Sequence, residues 1–322
     1  FFMLSGFVIG YAYDDRWKRM TVGTFLKRRI IRLHPMVIMG SIVGAAFFYF
    51  QESPCFPPIE NTSVGTMLLV MLLGCTLLPL PLKFDIRGWT EMHPLNGPAW
   101  SLYYEYIGNI LYALFVRKFN KVALSVLVFV AGCFTVYRCL TAPAGDIVGG
   151  WALNWEQQYV GMVRLMYPFF GGLLLSRLGW LIRLEKRAFW WCSLLIVVVL
   201  SIPRIGGEDG YWMNGLYEAF CIICVFPVIV SMGAGGKVTG KRSTAVCKFL
   251  GDISYPIYIT HYPLVYTYTA WVCNNNATMV EGIPYMILTF VGAVVLAYAC
   301  LKLYDEPVRR WLTDRFLKGK KK

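Results

Sequence analysis

Charge is what this chain has least of. Only 15% of its residues are charged, against about 25% in an average globular domain. With 57% hydrophobic residues and a mean hydropathy of +0.53, that shortage excludes an ordinary soluble domain and points to a polytopic membrane protein. Acidic residues are scarcer still, 18 against 31 Lys and Arg, for a net charge of +13. Such an excess can suit nucleic acid, but basic loops collected on one side of a bilayer account for it, so no nucleic-acid partner is expected. Low-complexity tracts, internal repeats and linkers are absent, which argues for a single membrane domain over 1–322. Ten cysteines are present, yet most lie in apolar runs (Cys75, Cys133, Cys192, Cys221, Cys224, Cys300). They read as small packing residues rather than a disulfide framework or a metal site, the CxxC spacing of Cys221 and Cys224 included. No basic region precedes the apolar residues 1–13, so they are not a secretory signal. They are too short for a span, and the chain is expected to begin inside a helix.

Apolar runs at 30–50, 64–80, 97–117, 121–140, 158–178, 187–203, 212–232, 250–272 and 283–304 approach the ~20 residues that a helical span needs. Lys and Arg fill 14–29, which puts that loop in the cytoplasm, while 51–63 has neither and lies outside. If 64–80 crossed completely, the basic stretches near 121, 183–187, 237–242 and 317–322 would all fall outside. A re-entrant or partial excursion over 64–96, or a pair of short spans, returns each of them to the cytoplasm. The expected fold is an all-α, polytopic helical membrane bundle of about nine spans with a re-entrant segment near 64–96. The loops 141–157, 204–211 and 273–282 then lie outside.

Glu105, Arg164, Glu218 and His261 stand in or near apolar runs. Charged groups there are costly and usually face a cavity or a partner. Four stretches gather such residues. KRRIIRLHP (27–35) places Arg29 and Arg32 one helical turn apart, where paired guanidinium forks suit phosphate. An ordinary positive-inside anchor reads the same way. NGPAWSLYYEYIGNILYALF (96–115) starts a helix with turn chemistry, and carries Trp100, Ser101 and, four residues on, Glu105. GDISYPIYITHYPLV (251–265) holds His261. YDEPVRRW (304–311) holds Glu306, which could simply pair with Arg309 or Arg310.

In order and spacing, FFMLSGFVIG, RRIIRLHP, NGPAWSLYYE, ISYPIYITHYPLV and YDEPVRRW resemble the bacterial membrane acyltransferase-3 family across essentially the whole chain. The resemblance implies a ten-span domain that moves an acetyl or other acyl group from cytoplasmic acyl-CoA, with acetyl-CoA the first choice of donor. The acceptor would be a hydroxyl on an extracytoplasmic glycan or lipid-linked sugar, and the location the inner (cytoplasmic) membrane, in contact with lipid. No bound cofactor or metal is implied. Arg29 and Arg32 match the family's Arg-x-x-Arg pair, His261 its usual His, and Glu306 the acidic residue of the last motif. Family members carry an Arg and a His, the expected catalytic base, in a first span just before FFxLSGF. Phe1 would thus open the second span, and this chain would lack that base.

On that basis Arg29 and Arg32 are expected to hold the phosphates of CoA at the cytoplasmic mouth. Glu105, Arg164 and His261 would line a polar path, with Ser101 beside it and Glu306 in support. Trp89, Trp100, Trp151 and Trp155 could stack on sugar faces or form an interfacial belt. A transporter or flippase for a glycan precursor would also place charges in spans, but two repeated halves, common in transporters, are not visible. A structural membrane protein would leave the charges unexplained.

Overall fold

A computed structural model describes residues 1–184, 187–205 and 210–317. Parts of three expected loops (183–187, 204–211 and 317–322) lie outside the described residues. Among those described, the chain is helical and has no strand. The helices are α1 (Phe2–Tyr13), α2 (Val22–Phe47), α3 (Val64–Gly74), α4 (Ala99–Leu114), α5 (Lys121–Thr141), α6 (Trp155–Leu178), α7 (Ala188–Ser201), α8 (Tyr211–Phe220), α9 (Phe226–Gly235), α10 (Lys241–Thr260), α11 (Tyr262–Asn275), α12 (Met279–Cys300) and α13 (Glu306–Phe316). Single π-turns, Cys221–Val225 and Leu301–Asp305, carry α8 into α9 and α12 into α13.

Among the described residues, five helical stretches are long and apolar enough to cross a membrane: Val22–Gln51, Lys121–Thr141, Trp155–Leu178, Tyr211–Gly235 and Met279–Phe316. The count of about nine is therefore not reached by that measure. Helix α7 has only 14 residues, and α4 has 16, Glu105 and Asn109 among them. The run at 250–272 is divided at His261. Over 64–96 the chain forms one 11-residue helix, α3, about 16 Å long, roughly half of a hydrocarbon core. Its start is fixed by the Ser63 side chain, which accepts from the Thr66 amide. Turns and irregular backbone then run to the start of α4, with one 3₁₀ turn at Leu82–Phe84. That path holds one short apolar helix rather than two.

The chain divides into two compact units. The first holds 1–22, 104–150 and 155–247. Its centre is α1 against α6, where glycine permits backbone contact. A Cβ on Gly6 would lie 1.7 Å from the Phe169 carbonyl oxygen, and one on Gly172 would lie 1.9 Å from that of Met3. Small residues let membrane helices approach this closely. Arg177 ties the other end of α1 by pairing with Asp14 at 2.7 Å, whose second oxygen accepts from the Tyr112 hydroxyl at 2.7 Å.

The second unit holds 23–103, 151–154 and 248–317 of the described residues. Its core joins Phe48, Phe56, Ile59, Val70, Leu95 and Tyr266. Here the cysteine reading is corrected. Cys55 and Cys273 form a disulfide, with Cα atoms 6.3 Å apart across 218 residues of chain. Cys55 lies in the connection after α2 and Cys273 in the last turn of α11, just past the apolar run at 250–272. The eight others, Cys221 and Cys224 included, are free thiols. Closing so long a loop restricts the unfolded chain. Replacing Cys55 or Cys273 by alanine should therefore cost about 2–4 kcal/mol, read as a lower apparent Tm in detergent. The double replacement should cost little more than either single one, because each already breaks the same bond.

Candidate functional site

In the second unit, two of the sequence stretches meet at a helix break. Pro263 has no amide hydrogen to give to the carbonyl of Ile259, four residues back. The helix breaks there, between α10 and α11. The freed Ile259 carbonyl accepts instead from Asn96 Nδ2 at 2.8 Å, in the turn that starts α4. Gly40 of α2 lies alongside: a Cβ there would be 2.6 Å from Asn96 Nδ2 and 2.8 Å from the Ile259 oxygen.

At this junction the Ser101 and Tyr258 hydroxyls share a hydrogen bond of 2.5 Å, and both also lie within reach of the Pro98 carbonyl. Ser101 is buried. His261, partly buried at the break, has Nδ1 at 3.0 Å from the carbonyls of both Ile257 and Tyr258. Two acceptors assign the proton to Nδ1, which leaves Nε2 with a lone pair. Its ring lies between those of Tyr258 and Tyr262, with centroids at 6.2 and 5.5 Å. Such an imidazole can accept a proton.

The loop before Asn96 carries a buried polar group that charge counting along the helices passed over. Arg87 is fully buried. Its Nε donates to the Pro94 carbonyl at 2.8 Å and its Nη1 to Gln51 Oε1 at 2.7 Å. The guanidinium lies 3.6 Å above the Tyr266 ring, a cation–π contact. Tyr266 in turn donates its hydroxyl to both oxygens of Glu91, at 2.8 and 2.6 Å. Asp85 shapes the loop by accepting from the amides of Arg87, Gly88 and Thr90. Burial raises the Glu91 pKa to about 7, against the opposing pull of Tyr266 and Arg87. Burial alone lowers that of His93 to about 3.

The Arg-x-x-Arg pair is divided in environment. Arg29 is 4% exposed, while Arg32 is exposed, the two lying about 60° of arc apart on α2. Arg32 is in electrostatic reach of Asp305, a buried residue paired with Arg309 at 2.9 Å. Glu306 does not take the expected partners: it pairs with Lys302, and its neighbour Asp305 holds Arg309. Position i+4 on a continuous helix explains both pairs.

Other expected residues lie in the first unit. Glu105 accepts from the Ser5 hydroxyl at 2.7 Å, Arg164 donates to the Gly149 carbonyl, and Glu218 accepts from the Ile147 amide at 2.9 Å. Each is thus tied locally. Among the tryptophans, Trp155 at the start of α6 is 86% exposed, and Trp100 and Trp151 are partly buried. Trp89, 40% exposed, donates to the Cys55 carbonyl at 3.1 Å and packs on Phe56.

Arg87, Glu91, His93, Tyr258 and Tyr266 were missed as site residues. The signal for three of them was local: FDIRGWTEMHPLNG (84–97) carries Asp85, Arg87, Glu91 and His93 between two apolar runs. Tyr258 and Tyr266 give no signal until α10 and α11 are placed.

The two shifted groups act in opposite directions on stability. Glu91 binds its proton more tightly in the folded state, so its contribution is full below about pH 4.5 and is lost as pH rises through about 7. His93 resists protonation when folded, so its contribution is full above about pH 6.5 and is lost as pH falls toward about 3. Glu91→Gln should remove the alkaline loss, flattening the Tm–pH curve between pH 5 and 7 by an amount worth about 3 kcal/mol at most. An unchanged slope in that window would show that Glu91 titrates as an ordinary carboxyl.

A family model described as an acyltransferase domain matches residues 1–301. A curated relative from Rhizobium radiobacter, named protein 2 in the picA locus, is 33% identical over 120 residues. That alignment covers 35% of this chain and 61% of the relative. No solved structure matches. With the family model covering nearly the whole chain, all of the quoted stretches except YDEPVRRW (304–311) included, the chain belongs to the membrane acyltransferase-3 family.

Proposed function

We propose that the protein is an O-acyltransferase of the inner membrane, taking an acetyl or other acyl group from cytoplasmic acyl-CoA to a hydroxyl of an extracytoplasmic glycan or lipid-linked sugar. The observation that carries this reading is the family match over residues 1–301, which includes both the Arg29/Arg32 segment and His261. Direction is supported by the Cys55–Cys273 disulfide. Disulfides persist in oxidising compartments, which favours an outer position for the loops around 55 and 273, where Lys and Arg are also absent.

In this reading Arg32, exposed and close to the Asp305–Arg309 pair, meets the CoA phosphates, while buried Arg29 supports that end of α2 from within. To His261 Nε2, a path-lining group in the sequence reading, we assign the further role of taking the proton of the acceptor hydroxyl, a role that the resemblance gives to a His ahead of the FFxLSGF segment. The resulting oxygen attacks the thioester carbonyl, an ester bond forms, the C–S bond breaks, and the CoA thiolate leaves and is protonated. Glu105 and Arg164 belong to the polar lining of the first unit, and Glu306 orders the end of α12 through Lys302. Exposed tryptophans such as Trp155 and Trp89 offer faces for a sugar.

Purified protein in vesicles, given labelled acyl-CoA and a glycan acceptor, tests the reading. Arg32→Ala should raise KM for acyl-CoA by about tenfold or more with little change in kcat; unchanged donor affinity would remove its phosphate role. Arg29→Ala should instead lower stability, because its side chain is buried. His261→Gln should lower kcat by about 10²–10⁴ with KM retained. Movement of a labelled lipid-linked sugar without any dependence on acyl-CoA would replace the acyltransferase with a flippase.

A further inference from the structure

Beside the turn at 93–96, the second unit has a small, partly open cavity of about 10 Å³. Val37 and Ser41 of α2, Gly74 of α3, and His93, Leu95 and Asn96 of the loop line it. His93 and Asn96 are each 4% exposed. Neither ring nitrogen of His93 nor Oδ1 of Asn96 has a hydrogen-bond partner among the described residues. Asn96 Nδ2 is committed to Ile259. The Ser41 hydroxyl donates to the Met71 carbonyl at 2.9 Å, which leaves its oxygen able to accept.

Buried polar groups are almost always satisfied, by protein or by ordered water. A cavity admits a water when it offers about 10–15 Å³ and two to four polar partners, and this one meets both conditions. A neutral imidazole supplies one donor and one acceptor, Asn96 Oδ1 a second acceptor, and Ser41 a third. None of the lining residues carries Asp, Glu, Lys or Arg charge, which favours water over an ion.

We propose that this cavity binds one water molecule, held by His93, Asn96 Oδ1 and the Ser41 hydroxyl, and that this water sets the Asn96–Gly97–Pro98 turn from which α4 presents Trp100 and Ser101. His93 is then a positioning residue. It fixes Asn96, Asn96 satisfies the carbonyl freed by Pro263, and the turn holds Ser101 against Tyr258. Only the consequence for catalysis rests on the acyltransferase reading; the water site stands or falls separately.

Radiolytic hydroxyl-radical labelling of the whole protein in detergent tests the water directly, since a bound water generates the radical beside its own ligands. His93 should be oxidised several-fold faster than the fully buried Phe25 of the same unit. Labelling no faster than that of Phe25 overturns the proposal. As an independent measurement, His93→Phe keeps the ring shape but orphans Asn96 Oδ1, so the apparent Tm should fall by about 2–6 °C. His93→Gln, which can still bond to a water, should recover part of that loss, and His93→Phe combined with Ser41→Ala should be non-additive. A His93→Phe protein as stable as the wild type, or strictly additive effects, would mark a dry void. If the wild type transfers no acyl group, the function above fails while labelling and Tm still decide the water site. If it does transfer one, His93→Gln should lower kcat more than it changes donor KM.

Discussion

Much of the second unit depends on the hydrogen bond from Asn96 to the Ile259 carbonyl. In a bilayer every backbone polar group must find its partner inside the protein, so a proline within an apolar run creates a debt at a known atom. Pro263 creates it at Ile259, and Asn96 answers it with a side-chain amide. That answer brings the start of α4 to the helix break, with Ser101 beside Tyr258 and His261 at the break itself. Gly40 belongs to the same constraint. Any Cβ there would stand within 3 Å of both donor and acceptor, so α2 can pass close only while position 40 is bare.

The loop that precedes Asn96 is held by a different kind of force. Arg87 is fully buried with no carboxylate in an ion pair with it among the described residues. Its charge is spread over a carbonyl, an amide oxygen and the Tyr266 ring. Glu91 sits on the other side of the Tyr266 hydroxyl. Burial penalises a charged guanidinium and a charged carboxylate alike, and a shared tyrosine between them lets each be solvated without direct pairing. An ionised Glu91 favours the charged guanidinium and Arg87 favours the carboxylate in return, so the burial that pushes the Glu91 pKa up to about 7 works against their mutual attraction.

The helical class and the family were legible because they rest on long hydropathy runs and on ordered motifs. The break at His261 was hidden within a run that reads as one span, 250–272, because hydropathy cannot register a missing amide hydrogen. The Cys55–Cys273 disulfide was hidden by its 218-residue separation, since pairing over such distances is a property of the fold. Arg29 and Arg32 were read as neighbours on one face, yet a helix turns far enough in three residues to bury one and expose the other. Glu306 and Asp305, adjacent in sequence, take different partners for the same reason: each reaches the base four residues away on its own side of the helix.

These details bear on where chemistry can be placed in an apolar bundle. A regular span consumes all its own backbone hydrogen bonds and offers nothing to a polar substrate. An irregularity frees a carbonyl, and the freed carbonyl must recruit a donor. The recruited donor comes from a polar loop, and that loop brings further titratable groups with it, here Arg87, Glu91 and His93. At His261 the ring is also oriented by the irregularity, because its Nδ1 bonds the carbonyls of Ile257 and Tyr258 in the last turn of α10. Leaving one such carbonyl unpaired would cost about 1–3 kcal/mol, as much as many single interactions in the fold contribute. The proline is thus tolerated because the polar loop satisfies it, and the polar loop is held in an apolar surrounding because the proline gives it something to bond.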